Sequence, residues 1–340
     1  MRTAKLENFI PENIAPKDAR RIVVCDQRGN KVGGFGLQNL KMPNIGEKLY
    51  SFGAVSDVHL QYTTALSDFN KALSFLFHSE KVDFACVCGD LTDDGAVEDF
   101  AQYKAAVGDY EVYEILGNHD YWTIGTNHIE SQVQNFTGEP LYYSFTKGDD
   151  VFVMVGIVDE YDLFTGAELQ WLQETLEMNR NKRCFVFQHV FPKAGTEPSC
   201  GNAYGIYNNQ CWNNPALTIA FESLMKHYKN VVFFHGHSHL EFGLQSKECP
   251  YANYSGADGY KSVHIPALSI LRSGDASGNS SITEDAGGSQ GYVVDVYENG
   301  IHLQGRDFVN GKFLPIASYW IDTALQTVEA GTYEDPTVGI

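Results

Sequence analysis

The chain lacks any long uninterrupted run of apolar residues. None of the apolar segments in its 340 residues approaches the roughly 20 residues that a membrane-spanning helix needs. The segment from Met1 to Asn8 also lacks the apolar core of a secretory signal peptide. We therefore expect a soluble, cytoplasmic protein with no membrane partner.

Basic residues are also scarce. The 24 Lys and Arg residues are outnumbered by 43 Asp and Glu residues, which gives a formal net charge of −19, and the basic residues form no cluster. Because duplex binding depends mainly on clustered Lys and Arg, this charge balance argues against long nucleic acid as a partner. Carboxylates that hold divalent cations would account for part of the acidic excess.

Cysteines are few and are poorly spaced for cross-links or for sulfur-bound metals. Their number, seven, is odd, and Cys86, Cys88 and Cys184 lie in apolar runs that are typical of buried strands. The spacing of Cys86 and Cys88 is not that of a zinc-thiolate site. We expect free, reduced thiols, and only Cys200 and Cys211 leave the question of a pair open.

In place of these features the sequence has a succession of β-prone runs, each followed by a polar loop. The runs at 50–55, 82–88 and 111–114 end in loops of Asp, Gly, Asn or His, and helical patterns follow the first two. In the first helix four apolar residues at helical spacing are predicted to face the core: Leu66, Phe69, Leu73 and Leu76. Three such units in succession predict an α/β sheet whose loops collect at the carboxyl ends of its strands.

The same analysis predicts the elements and regions of the remaining chain. Strands are predicted at 141–145, 151–158, 183–187, 231–234 and 263–270, helices at 97–107 and 166–178, and a hairpin at 291–304. Three regions follow: an N-terminal β-hairpin extension at 1–46, a main domain at 47–322 and an acidic C-terminal tail at 323–340. Gly-rich segments at 193–214 and 273–290 are predicted to be mobile loops.

Five of the strand-end loops carry side chains that bind metals. Seven residues make up this set: Asp57, His59, Asp90, Asn118, His189, His237 and His239. They are enough for two cations that share one carboxylate, and mixed imidazole and oxygen ligation favours Mn, Fe, Zn or Co over calcium. Taken singly, Asp57 or Asp90 is more typical of a helix cap, and the loop at 117–120 of a polar turn.

The order of these loops resembles the calcineurin-like metallophosphoesterase family. That family has the blocks Asp-x-His, Gly-Asp-x-x-Asp, Gly-Asn-His-Asp or Glu, a lone His, and Gly-His-x-His, and all five occur here in order between about residues 50 and 310. The resemblance implies a four-layer αββα sandwich in which helices flank two mixed β-sheets. It also implies two bound divalent or transition metal ions, with Mn, Fe and Zn as candidates.

The resemblance also implies a role for each matching residue. It assigns Asp57, His59 and His239 to one metal, Asn118, His189 and His237 to the other, and Asp90 to a bridge between them. It makes His119 a catalytic acid beside the metals and Asp120 the residue that holds the His119 imidazole. Two ions roughly 3.5 to 4 Å apart lower the pKa of a bridging water, so the implied reaction is attack of a metal-bridging hydroxide on a phosphoester.

Departures from particular subfamilies narrow the expected substrate. Asp94 stands where serine/threonine phosphatases of the family carry arginine, Asp120 where they carry glutamate, and Asp93 where purple acid phosphatases supply a tyrosine. A small phosphodiester or phosphomonoester remains, and we favour the diester because the blocks resemble those of bacterial cyclic-nucleotide phosphodiesterases. The alternative is a non-catalytic scaffold of the same fold that binds a protein partner, whose identity the sequence does not indicate.

Residues that contact the rest of the substrate are harder to identify. Arg272 follows a predicted strand where a phosphate clamp would be useful, although a salt bridge is a common alternative, and Tyr204 in the 193–214 insertion is a candidate for stacking. Tyr121 and Trp122 either line the pocket or pack in the core. His235 matches no ligand block, and we expect a buried strand histidine with its hydrogen bonds satisfied.

Overall fold

The computed structural model describes residues 21–25, 31–36, 46–122, 137–157, 164–190, 215–242, 261–272 and 288–323. Its strands are β1 (Arg21–Cys25), β2 (Lys31–Gly36), β3 (Lys48–Val55), β4 (Phe84–Cys88), β5 (Val112–Ile115), β6 (Tyr142–Lys147), β7 (Asp150–Val155), β8 (Cys184–Phe187), β9 (Val231–His235), β10 (Lys261–His264), β11 (Gln290–Tyr297), β12 (Gly300–Asp307) and β13 (Lys312–Asp322). Its helices are α1 (Ala65–Ser74), α2 (Val97–Val107), α3 (Gly166–Met178) and α4 (Pro215–His227). A π-helical turn, Phe75–Glu80, continues α1. None of the helices in these ranges is long and apolar enough to cross a bilayer.

Two mixed sheets form the centre of the molecule. The six-stranded sheet has the order β13-β12-β11-β3-β4-β5, and the five-stranded sheet has the order β10-β9-β8-β7-β6. In the first sheet β3, β4 and β5 are parallel and β11 joins β3 antiparallel. In the second sheet β7 to β10 are parallel and β6 is antiparallel. Each sheet therefore has a block of parallel strands whose carboxyl ends lie along one edge.

Phenylalanine rings fill the space between the two sheets. The ring centroid of Phe52 in β3 lies 5.3 Å from that of Phe152 in β7 and 5.5 Å from that of Phe185 in β8. Alternate residues of the same strands, such as Ala85 and Val87 of β4, face the other way and pack with the helices. Because successive strand residues point to opposite faces, each sheet has one face toward the other sheet and one toward its helices. This is the predicted four-layer sandwich.

The N-terminal hairpin is present, and several predicted segments lie outside the described residues. β1 and β2 pair antiparallel as a two-stranded sheet of their own. The boundaries at 46 and 322 stay predictions. The insertion at 193–214, most of the loop at 273–290 and the tail after Thr323 fall outside the described ranges.

The strand predicted at 263–270 is shorter than expected. β10 ends at His264, because Pro266 has no backbone N–H and interrupts the ladder. The chain then crosses toward the first sheet, where Leu268 N donates to Ser56 O at 2.9 Å and Ser269 N donates to Asp57 O at 3.0 Å. This segment therefore connects the two sheets at their loop-bearing edge.

The structure corrects one further prediction and adds a strand that sequence analysis missed. Leu66 is 37% exposed, because the buried face of α1 is formed by residues that include Ala65, Phe69 and Leu73. Sequence analysis also missed β13, which pairs with β12 across a bulge between Gln304 and Gly305. Pro315 lies within β13, and a proline there obscured the strand pattern.

Candidate metal centre

The predicted polar loops meet at one edge of the sandwich and are tied together by the backbone. Asp57 N in the loop after β3 donates to Gly89 O in the loop after β4, at 3.1 Å, and Gly236 N after β9 donates to His189 O after β8, at 2.9 Å. His237 N donates to Asp57 Oδ2 at 3.0 Å, which joins the loops of the two sheets. The site is therefore built across both sheets.

Most of the predicted ligands have an unusual backbone conformation. Among the described non-glycine residues eight have positive φ, and five of these belong to the predicted ligand set: Asp57, His59, Asp90, His237 and His239. A non-glycine residue in this region costs on the order of 1–3 kcal/mol, and such residues cluster at functional sites. The loops are thus held in conformations that aim these side chains inward rather than in the conformations they would prefer alone.

Two glycines are needed because the loops approach each other closely. A methyl group at Gly117 would overlap the carboxylate and backbone nitrogen of Asp90, and one at Gly236 would overlap Ser56 Oγ and lie 2.7 Å from Asp57 Oδ2. The glycines of the Gly-Asn-His-Asp and Gly-His-x-His blocks therefore permit the loops to pack with the ligand side chains between them.

The structure brings four of the predicted ligands into a first group. Asp57, His59, Asp90 and His239 each offer an atom within 4.8 Å of the others, and all four residues are buried. His239 Nε2 lies 3.0 Å from Asp57 Oδ1, and His59 Nε2 lies 3.1 Å from His239 Nε2 and 3.4 Å from Asp90 Oδ2. These are the residues assigned to one metal together with the assigned bridge.

A second group overlaps the first at Asp90. It contains Asp90, His189 and His237, again within 4.8 Å of one another and buried. His189 Nε2 lies 3.1 Å from Asp90 Oδ2 and 3.9 Å from Asp57 Oδ1. Asn118, the remaining predicted ligand, is 5% exposed, and its Oδ1 is buried without a hydrogen-bond partner. Asp90 therefore belongs to both groups, as a bridging carboxylate would.

Hydrogen bonds at the outer nitrogens orient three of the imidazoles. His189 Nδ1 donates to Cys88 O at 2.6 Å and His239 Nδ1 donates to Ile270 O at 3.1 Å, because a carbonyl oxygen can only accept. His59 Nδ1 lies 3.0 Å from Asp93 Oδ1. With Nδ1 engaged in this way, Nε2 of each ring faces the interior of the site, the arrangement usual for metal-binding histidines.

Electrostatics keep both carboxylates ionised and two of the imidazoles neutral, whereas Asp90 and Asp57 outweigh burial and raise the pKa of His189 to about 9. Burial alone would raise the pKa of Asp57, but the charges of His239 and His189 hold it well below its ordinary value. Burial also opposes ionisation of Asp90, and His189 holds its pKa well below the usual range. Burial lowers the pKa of His237 and of His59. The carboxylates are thus ionised at neutral pH, and these two imidazoles are neutral.

The donor set fits a pair of divalent ions. Asp57 Oδ1, Asp90 Oδ2, Asn118 Oδ1 and His189 Nε2 are buried atoms without a hydrogen-bond partner. Asp90 Oδ2 and His189 Nε2 are only 3.1 Å apart. Buried polar atoms are rarely left unsatisfied, and carboxylate, amide and imidazole donors suit Mn, Fe, Zn or Co.

The predicted catalytic acid, His119, lies at the rim of this cluster. Its side chain is 23% exposed, and its ring centroid is 4.6 Å from that of the buried His59. Its Nδ1 donates to Asp93 O at 2.7 Å and lies 3.6 Å from Asp93 Oδ1. Asp93 therefore contacts both His59 and His119, and the three residues form a further group able to hold a cation.

The structure corrects the role assigned to Asp120. Its carboxylate accepts hydrogen bonds from Leu91 N at 3.1 Å, from Thr92 N and Thr92 Oγ1 at 2.8 Å, and from Gly117 N at 2.8 Å. Asp120 is buried, and its pKa is raised to about 7 by burial and by Asp90. It holds the loop after β4 against the loop after β5, whereas Asp93 holds the imidazole of His119. The side chain next in sequence to a histidine points elsewhere because His119 and Asp120 are both in a 3₁₀ turn.

Tyr121 and Trp122 were expected either to line the pocket or to pack in the core, and the structure places them differently. Tyr121 is buried, and its hydroxyl donates to Ile157 O at 2.5 Å, so it packs in the core. Trp122 is 49% exposed, and its ring centroid is 3.9 Å from that of His119. Of the two, Trp122 is the residue that a bound molecule could reach.

The remaining sequence candidates in the described residues do not belong to the two main metal-binding groups. His235 is buried in β9 with Nε2 3.1 Å from Ser262 Oγ, and it belongs to neither of the two main groups. Arg272 is partly exposed, and its backbone N donates to His239 O at 2.8 Å. Tyr204 lies outside the described residues. Cys86, Cys88 and Cys184 are buried free thiols.

Sequence analysis missed the supporting residues. Ser238, between two predicted ligands, is hydrogen-bonded to the buried His264, and no spacing in the sequence relates these positions. Asp93 was visible as part of the Gly-Asp-x-x-Asp block, but its contacts with His59 and His119 depend on how the loops fold together. Supporting contacts of this kind are tertiary and leave no local pattern.

Comparison with known proteins places this site in a family. The model of calcineurin-like phosphoesterases matches residues 50–241, which is more than half of the chain. The chain therefore belongs to the calcineurin-like phosphoesterase family, whose members bind two metal ions. A search of curated protein sequences finds no match.

Solved structures show the same fold at low sequence identity. A purple acid phosphatase from seeds of yellow lupin, Lupinus luteus, is 13% identical with a TM-score of 0.57, and the match covers 83% of this chain but only 55% of that one. GAP50, described as the anchor in the inner membrane complex of Plasmodium, is 15% identical with a TM-score of 0.53, over 82% of this chain and 90% of that one. This chain thus spans little more than half the length of the lupin phosphatase. Likeness at these identities establishes the fold alone.

Proposed function

We propose that this protein is a dinuclear metal-dependent phosphoester hydrolase. The observation that carries the proposal is the overlap of two buried groups of metal-binding side chains at a single carboxylate, Asp90. One neighbour of the same fold is described as a phosphatase and another as an anchor, so the fold does not choose between catalysis and scaffolding. The set of ionised carboxylates and inward-facing imidazoles favours catalysis over the scaffold alternative.

The residues present would hold two ions in the arrangement that the family resemblance implies. Asp57, His59 and His239 would bind one, Asn118, His189 and His237 the other, and Asp90 both. Two ions held there act as Lewis acids that neutralise phosphate charge and generate a nucleophile from water at neutral pH. The chain's part is to fix seven donors whose charges and lone pairs point inward.

His119 is proposed as the proton donor to the leaving oxygen. Because Nδ1 donates to Asp93 O, Nε2 is the ring nitrogen free to exchange a proton. Contact with the ring of His59 places it beside the first group, while its partial exposure leaves room for a substrate. General acid catalysis contributes about 10² to 10⁴-fold, so His119→Gln should slow hydrolysis by a factor in that range.

We favour a small phosphodiester as the substrate. The acidic sequence has no cluster of Lys and Arg that would favour a long polyanion, and Asp94 stands where protein phosphatases of the family use an arginine to bind phosphate. The resemblance of the blocks to bacterial cyclic-nucleotide phosphodiesterases supports the diester. Trp122, exposed beside His119, would contact the leaving group.

The proposal is tested by metal content and turnover together. Protein reconstituted with Mn²⁺ should bind two equivalents by elemental analysis and hydrolyse bis-p-nitrophenyl phosphate faster than p-nitrophenyl phosphate. Asp90→Asn should lose most of the bound metal and most of the activity, because the variant removes the charge shared by both groups. Asp99→Asn is the matched control, since Asp99 is also buried but lies in α2 and belongs to none of the metal-binding groups.

The outcomes separate the alternatives. A reconstituted protein with two ions and no turnover of either ester would favour the scaffold. Two tightly bound ions in Asp90→Asn would refute the bridging role. Faster turnover of the monoester would keep the hydrolase and overturn the preference for a diester.

A further inference from the structure

Arg272 differs from the buried arginines Arg183 and Arg306, each of which is paired with a carboxylate. Arg183 is paired with Asp150 at 2.5 Å and Arg306 with Glu80 at 2.9 Å. No ion pair in the described part of the structure involves Arg272, and its Nε and Nη1 are buried without a hydrogen-bond partner. A buried guanidinium edge that has lost its water and found no acceptor carries a large desolvation cost. The chain has 43 acidic residues, yet none in the described ranges pairs with Arg272. This indicates that the guanidinium binds an anion from outside the chain.

Backbone contacts fix Arg272 next to the candidate metal centre. Its N donates to His239 O at 2.8 Å, and its O accepts from Glu241 N at 3.0 Å. Two residues earlier, Ile270 O accepts from His239 Nδ1. Arg272 is therefore carried by the segment that orients one of the proposed ligands, and it is partly exposed while its inner edge is buried. This position lets an anion reach the guanidinium from the surface.

Two serine hydroxyls from adjoining segments also lack hydrogen-bond partners. Ser269 Oγ and Ser289 Oγ are buried without hydrogen-bond partners. Gln290 N donates to Ala267 O at 3.0 Å, so the segment at 288–290 runs beside the segment at 267–272. Ser269 N also donates to Asp57 O at 3.0 Å. Ser269 is therefore on the same segment as Arg272 and is bonded to the metal-binding loop after β3, and Ser289 is on the neighbouring segment.

We infer that Arg272, Ser269 and Ser289 form a subsite for a second anionic group of the substrate. The inference rests on the proposed hydrolase function, in which the scissile phosphate is held at Asp90 and its neighbours. Guanidinium and hydroxyl donors are a common combination for binding phosphate, sulfate or carboxylate. The substrate class is then narrowed to phosphoesters that carry another phosphate or carboxylate close to the reacting one.

Anion binding is measured first without metal and without turnover. Sulfate should raise the thermal unfolding midpoint of the metal-free protein more than chloride does at equal ionic strength. Arg272→Gln should abolish that difference, and Arg272→Lys should retain part of it because the charge remains. Arg180→Gln is the matched control, since Arg180 is an exposed arginine paired only with Glu177, and it should behave as wild type. An equal response to sulfate in Arg272→Gln would overturn the subsite.

Kinetics with a matched substrate pair then decides whether the anion belongs to the substrate. Thymidine 5′-(p-nitrophenyl phosphate) is compared with the same ester bearing a 3′-phosphate. We expect wild type to show a KM at least about tenfold lower for the 3′-phosphorylated ester, as one good charge-assisted contact provides. Arg272→Gln should lose this preference, whereas the control variant Arg180→Gln should keep it.

The two experiments fail independently. If sulfate binds through Arg272 but the two esters have equal KM values, the subsite takes a free anion and the substrate assignment is wrong. If neither ester is hydrolysed, the hydrolase proposal fails while the sulfate result still decides whether Arg272 binds anions. Equal KM values together with an unchanged response to sulfate would refute the whole inference and leave the hydrolase proposal standing.

Discussion

At the scale of single residues, the candidate site depends on backbone conformations that most residues avoid. Asp57, His59 and Asp90 all have positive φ, and the hydrogen bonds between their loops compensate for that strain. The residues that the structure brings together in the candidate site could be predicted, because each occupies a fixed place in a sequence block. Their conformations were not, because a left-handed aspartate or histidine leaves no mark on composition or spacing.

Gly236 tests how tightly the loops must pack. Gly236→Ala should lower the free energy of unfolding by about 1–3 kcal/mol, the usual cost of overpacking, because the methyl group would overlap Ser56 Oγ. Metal affinity should fall with it, since Asp57 Oδ2 is also displaced. Chemical denaturation and metal titration measure the two effects. In Gly166→Ala the new methyl group enters open space at the start of α3, so this control variant should keep both its stability and its metal affinity. An equally harmless Gly236→Ala would refute the packing argument.

At the scale of the element, α3 shows what local sequence does and does not reveal. Its predicted bounds, 166–178, agree with the structure. Thr165 Oγ1 accepts from Glu168 N at 3.1 Å, and Thr165 N donates to Glu168 Oε2 at 3.3 Å, a capping box that the Thr-x-x-Glu spacing could have predicted. The burial of Glu168 could not have been predicted, because it depends on how α3 packs against the second sheet.

That burial makes stability depend on pH. Burial raises the pKa of Glu168 to about 8 in the folded protein, whereas the unfolded chain has an ordinary value near 4.5. A raised folded pKa contributes stability that is complete below the unfolded value and is lost as pH rises through the folded one. Between pH 5 and 8.5 the loss should be on the order of 3 kcal/mol.

Glu168→Gln removes this ionisation and should flatten that part of the stability profile. Urea denaturation of the wild type and the variant at pH 5 and pH 8.5 measures the difference. Glu174→Gln is the control on the same helix, because Glu174 is exposed, and it should leave the profile unchanged. A Glu168→Gln variant as pH-sensitive as wild type would show that the carboxyl group is not the cause.

At the scale of the whole molecule, a buried polar network joins the two sheets at the end opposite the metal-binding loops. Arg183 donates to both oxygens of Asp150, at 3.0 and 2.5 Å, and Tyr50 of β3 donates to Asp150 Oδ2 at 2.5 Å. Arg183 also donates to Tyr297 O of β11 and to Thr323 Oγ1. The layered fold could be predicted from alternating strands and helices, but this network could not, because its members are far apart in sequence.

Breaking the network should be costly. Asp150→Ala leaves the guanidinium of Arg183 buried without its carboxylate, and such losses amount to about 3–5 kcal/mol. Arg180→Gln, which removes an exposed ion pair, should cost less than about 1 kcal/mol. Denaturant midpoints compare the two variants. Metal content of the folded fraction should be unchanged in both, and a loss of metal in Asp150→Ala would show that the two ends of the sandwich are coupled.

The pairing of β3 also has a consequence for the order in which the chain can fold during synthesis. β3 bonds on one side to β4, which follows soon after, and on the other to β11, with Ala54 opposite Tyr292. Until the ribosome has delivered β11, the strand that precedes the first ligands has an open edge able to pair with other chains. A nascent chain that ended just after His239 would carry every predicted ligand beside that open edge. The nascent chain therefore contains all seven predicted metal-binding residues before it contains the strand that completes the sheet beside them.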